Sequence, residues 1–154
     1  MVRRMDGLYD RDVAQWASEQ ARALREHDHT RLDYDHLAEE IESLAKADRR
    51  ALESHVATVL QHLMKLQASP ATEPRRGWQD SVIEARAAIR RLLRDSPSLR
   101  RDLPEIVQME MVEARELASR SLSLYRETPR TPVDALAYDV EQVLEDWFPS
   151  GEAA

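Results

Sequence analysis

From Asp33 to Ala68 the chain reads DYDHLAEEIESLAKADRRALESHVATVLQHLMKLQA, with neither glycine nor proline inside it. At ~100° per residue, Leu37, Ile41, Leu44, Leu52, Val59, Leu63 and Leu66 fall on one stripe. The spacing therefore predicts one long amphipathic helix, capped by Asp33 and ended by Ser69, Pro70 and Pro74, since proline cannot continue the hydrogen-bond ladder. A helix before it, over about residues 11–26, places Val13, Trp16, Ala17, Gln20, Ala21 and Leu24 on one face. A third, about 76–94, does so with Trp78, Val82, Ala85, Ile89, Leu92 and Leu93. A fourth, about 104–121, opens at Pro104 and carries Leu103, Ile106, Val107, Ala114, Leu117 and Ala118. After Pro129 and Pro132, a fifth is expected over about 133–146, with Val133, Leu136, Ala137, Val140, Leu144 and Trp147 as its sticky side. Pro149 and Gly151 then end the ordered chain. No window alternates β-branched and aromatic residues with period two, so strands are not expected. The fold these elements imply is an all-α, antiparallel helical bundle of about five helices with the second as its central element. One domain, 1–154, is expected, with an ordered core from about residue 8 to about residue 149.

Composition narrows the function classes. The chain has 154 residues, of which 42% are hydrophobic and 33% charged, enough for one core in a water-soluble domain. A net charge of −7 argues against a dedicated nucleic-acid binder. The one basic cluster, Arg90, Arg91, Arg94, Arg100 and Arg101, lacks interleaved aromatics and follows no reading motif. The absence of cysteine excludes thiol catalysis, thiolate metal sites and disulfides. The start MVRRMDGLYDRD carries no signal-peptide apolar run, and no segment is apolar enough to span a bilayer. The expected location is the cytoplasm.

Candidate chemistry lies where polar groups interrupt apolar stripes. Asp48, His55 and His62 share the stripe of the second helix, and Glu110 and Glu113 fall in or beside that of the fourth. Residues seven apart lie about 10 Å apart along a helix axis, so His55 and His62 cannot share one ion directly. A metal reading would need two separate small sites, or one site completed by Glu110 or Glu113, with Glu40 in support. The competing reading is a buried network in which His55 or His62 donates to Glu110 or Glu113 and Asp48 accepts from Arg86. Glu39, Glu40 and Glu42 near the start of the second helix complement its dipole, and only Glu40 approaches the core seam. Neither a GxSxG elbow nor a phosphate-binding glycine loop is present.

Several segments, taken in order, resemble a known family. They are LYDRDVAQWASEQARALR, LDYDHLAEEIESL, HLMKLQ at His62–Gln67, the GW before the third helix, DSPSL at Asp95–Leu99, VEAR at Val112–Arg115 and YDVEQVLEDWFP. Together they resemble the bacterial domain-of-unknown-function family 29 over nearly the whole chain. The resemblance implies a compact all-α bundle and no assigned activity. It brings forward Glu39, Glu40, Glu42, His62, Lys65, Trp78 and Arg115 as candidate site residues. The expected function is a non-enzymatic interaction module that self-associates or meets another protein through leftover apolar surface, Trp147 and Phe148 included. No cofactor is expected. The alternative is a metal-binding or metal-dependent hydrolytic bundle using the His and Glu residues of the second and fourth helices.

Overall fold

The computed structural model describes residues 7–150, so Gly151 lies outside the described residues. Those residues are all-α, without a strand. The α-helices are α1 (Leu8–Arg11), α2 (Val13–Arg25), α3 (Tyr34–Ala68), α4 (Arg75–Asp95), α5 (Leu103–Leu124) and α6 (Val140–Leu144). Short 3₁₀ turns occupy His29–Arg31, Pro97–Asp102 and Val133–Ala135. The chain divides into two compact units, Met1–Ala47 and Asp48–Ala154, and the boundary falls within α3.

In the first unit the helix expected over about 11–26 is α2, and the single turn α1 precedes it. Asp12 leaves helical geometry at φ −155°, and its side chain accepts from the Gln15 amide, so it closes α1 and caps α2. Gly7 precedes α1 at φ 95°, a left-handed conformation that a side chain would strain. At the far end of α2, His27 turns left-handed and the Asp28 amide reaches back to the Ala23 carbonyl, which stops the helix. The buried residues of α2 are Trp16, Gln20 and Ala23. Val13 and Leu24, expected on the buried face, are 53% and 49% exposed. Trp16 and Gln20 are hydrogen-bonded to the turn before α3, and these polar bonds set the rotation of α2 in place of its aliphatic stripe.

The second unit holds the hydrophobic core. Leu52, Val56, Val59, Leu60, Leu63 and Met64 of α3 are wholly buried among Val82 and Ile89 of α4 and Ile106, Val107, Ala114 and Ala118 of α5. Expected and observed α5 agree to within a turn, but Met111 is buried and Leu117 is 39% exposed. The fifth helix is the larger departure. Leu136 and Tyr138 are buried while Ala137 and Asp139 are exposed, the alternation of an extended segment. A capping box between Asp139 and Gln142 then starts α6, only five residues long. Trp147 and Phe148, expected in an exposed patch, pack against the core instead.

Candidate functional site

Two of the polar residues on the apolar stripes have partners other than those the sequence suggests. Asp48 accepts from the Ser96 hydroxyl at 2.7 Å, not from Arg86. His62 uses its own helix: Nδ1 lies 2.8 Å from the Thr58 carbonyl, one turn back, and not on Glu110 or Glu113. Burial holds the His62 imidazole below its usual pKa, with the nearby Lys65 charge acting in the same direction. His55 is half-buried and Glu113 exposed. Burial pushes the Glu110 carboxyl up, and the charges of Glu113 and Glu53 add to the effect. Among the described residues, no group of three or more His, Asp or Glu is placed to hold a metal ion. The basic cluster stays on the surface, with Arg90 near Asp146 and Arg94 near Asp95.

Arg86 is 1% exposed and serves the chain's tail. Its Nε donates to the Val143 carbonyl at 2.9 Å, and Nη2 donates to those of Gln142 and Trp147. Its guanidinium lies 5.1 Å from the Phe148 ring centre. Arg115 holds the extended segment in the same manner, donating twice to the Leu136 carbonyl.

The C-terminal end of α3 is a second polar centre. Arg75 donates to the carbonyls of Leu66, Ser69 and Ala71, and Arg130 to that of Ser69 through both Nε and Nη2. Two cations thus sit where the last carbonyls of a 35-residue helix concentrate negative potential. The buried Ser69 hydroxyl donates to Glu127, and the Lys65 ammonium lies 5.9 Å from the Trp78 ring centre. Burial lowers the pKa of Lys65, against the pull of Glu127. A cavity of about 350 Å³ opens beside this end, lined by Leu66, Gln67, Arg75, Arg130, Thr131 and Trp147 among others. Of the family-motif residues, Lys65 and Trp78 therefore meet each other, whereas Arg115 serves the tail.

Sequence reasoning missed a third cluster, in the first unit. The Asp33 carboxylate accepts from Trp16 Nε1 at 3.2 Å and sits 2.7 Å from His36 Nδ1, while its amide donates to Gln20. The His36 ring stacks on Tyr9 at 4.0 Å and 20°, and the Tyr9 hydroxyl donates to Glu40 at 2.5 Å. The hydrogen bond to Glu40 pushes the Tyr9 phenol up to about 12. Asp33 raises the pKa of His36 through its hydrogen bond. Burial opposes ionisation of Asp33, but the bonds from His36 and Trp16 outweigh it and keep the carboxyl below its usual range. The Asp33-to-His36 spacing is visible in the sequence; its two aromatic neighbours are not. Glu39 and Glu42 remain on the solvated side, as the helical count places them.

Beyond these clusters, the first half of α3 is bare. Every residue from 41 to 47 is exposed, Ile41 at 65% and Leu44 at 70%, although both lie on the helix's apolar stripe. On α5, Val112 and Leu124 border a shallow groove of about 910 Å³ whose other walls are Arg115, Glu116, Ser119, Arg120, Ser123 and Asp134. No helix among the described residues is long and apolar enough to cross a membrane. A family model, Domain of unknown function DUF29, matches residues 8–148. No curated protein and no solved structure matches the chain.

Proposed function

Starting from the fact that this chain belongs to the family Domain of unknown function DUF29, we propose that it is a non-enzymatic interaction module that self-associates through the first half of α3. One observation carries this reading: residues 41–47 are helical and exposed on all sides, yet they hold Ile41 and Leu44 on the line of Leu37. Each apolar side chain left in water forgoes roughly 1.5–3 kcal/mol that burial would supply. A helix without packing is also marginal in water, so a partner face would stabilise this stretch directly. Ala38 and Ala45 flank the stripe and let a second helix come close.

The α5 groove is the weaker docking surface, because Glu116 and Arg120 interrupt its apolar residues. The test is light scattering across a concentration series, comparing the wild type with Leu44→Glu. The wild-type mass should rise with concentration. The variant should stay monomeric with an unchanged melting temperature, because the side chain it replaces packs on little. A wild type that remains monomeric throughout would sink the proposal.

A further inference from the structure

We propose that the cavity at the C-terminal end of α3 binds a small phosphate monoester, its charge held by Arg75 and Arg130 and its apolar body by Leu66 and Trp147. The described walls all belong to the second unit. Arg75, Arg130, Gln67, Thr131 and Ser150 supply hydrogen-bond donors, and Leu66, Trp147 and Pro149 supply apolar surface. Among the described residues the walls hold no carboxylate. A volume of about 350 Å³ suits a small organic molecule.

The two arginines meet at one atom. The Ser69 carbonyl accepts from Arg75 Nη1 at 3.0 Å and from Arg130 Nε and Nη2 at 3.0 and 2.7 Å. Two guanidinium charges are thereby held side by side. Burial lowers the pKa of Arg75, and the Arg130 charge acts in the same direction. The C-terminus of a helix returns only roughly −0.5 of an elementary charge. Glu127, turned to the Ser69 hydroxyl, is outside the cavity walls, and its charge is met by the Lys65 ammonium. The end of α3 therefore keeps a net charge of roughly +1.5. A phosphate monoester carries about −1.5 to −2 at neutral pH and matches it.

The donors suit the same anion. Arg130 spends Nε and Nη2 on Ser69, and its Nη1 has no protein partner among the described residues. That edge of the guanidinium has the fork geometry that grips phosphate oxygens. The Tyr138 hydroxyl donates to Gln67 Oε1 at 2.9 Å, which leaves the Gln67 amide nitrogen to donate elsewhere.

The test is calorimetric titration of the full chain with phenyl phosphate, beside inorganic phosphate, phenol and phosphatidylcholine vesicles containing phosphatidic acid. Phenyl phosphate should bind roughly tenfold more tightly than inorganic phosphate, because its ring covers the apolar wall. Phenol, without the charge, should not bind. Arg130→Gln should weaken phenyl phosphate binding about tenfold or more. Because that variant also loosens the Ser69 carbonyl, Thr131→Glu is the control. It sets a carboxylate in the wall next to Arg130, and it should abolish binding while the melting temperature holds or rises. No binding of phenyl phosphate, equal affinity for it and inorganic phosphate, or unchanged affinity in Thr131→Glu overturns the proposal. Binding to the phosphatidic acid vesicles with none to phenyl phosphate overturns it too, since the phosphate would then be met at a membrane surface and not in the cavity.

Discussion

Arg86 shows how one buried charge can hold a tail in place. Its guanidinium is out of water, no carboxylate among the described residues pairs with it directly, and burial lowers its pKa. Three backbone carbonyls depend on it, and its Nη1 is the one buried side-chain atom without a partner among the described residues. Arg86→Met keeps most of the volume and removes the donors. Each carbonyl left unpaired costs about 1–3 kcal/mol, so urea unfolding should show a loss of about 3 kcal/mol or more. The sequence points to Arg86 as a donor in a buried network, with Asp48 as its acceptor. It cannot reveal the partners, which lie 56 to 61 residues further on and are backbone atoms with no side-chain signature. His36 carries a different test. Its pKa is raised on folding, so its contribution to stability is full below the unfolded value of 6.5 and is lost as pH rises through the folded value. Asp33, with a lowered pKa, contributes above 3.8 and loses that contribution as pH falls through its folded value. The melting temperature reported by Trp16 should therefore drop as pH rises above 6.5, and His36→Gln should flatten that drop. His62, lowered by burial, pushes the second unit the opposite way, losing stability as it becomes protonated at low pH.

At the scale of elements, α3 and α4 follow the sequence to within a residue or so, because an uninterrupted period of 3.6 over many turns leaves no competing conformation. The same stripe does not show how far along α3 it is covered. Leu52 and Leu63 are wholly buried, whereas Leu44, on the same line, is 70% exposed. That contrast underlies the expectation that Leu44→Glu changes association and leaves the melting temperature alone. A periodic pattern states which side of a helix is apolar, and only neighbouring elements decide whether anything rests on it. The expected fifth helix failed for a related reason. Leu136, Tyr138 and Val140 are apolar at every second position, and Arg115 binding the Leu136 carbonyl fixes that segment extended. The helical spacing of Val140 and Leu144 is real, and α6 uses it only after Asp139 supplies a cap.

For the whole molecule, the consequence of two compact units is unequal stability. The second unit buries nearly all the large aliphatic residues of the core, while the first buries chiefly Trp16, Gln20 and Ala23 and relies on the hydrogen bonds around Asp33. Buried apolar area dominates folding free energy, so the first unit should open first. The tryptophans divide conveniently, with Trp16 in the first unit and Trp78 and Trp147 in the second. In variants retaining one tryptophan each, fluorescence of Trp16 should change at lower urea than that of Trp78. Coincident transitions would mean that the chain unfolds as a single cooperative body.

By itself the sequence determined the helical class, the long α3 and the family, because these depend on local periodicity and on motifs contiguous in the chain. Tertiary structure alone decided that Asp48 pairs with Ser96 and His62 with the Thr58 carbonyl, that arginines secure the ends of α3 and α6, and that Tyr9, Trp16, Asp33 and His36 form one cluster. These outcomes depend on the rotation of each helix about its axis and on backbone groups distant in sequence, neither of which a hydrophobic period encodes.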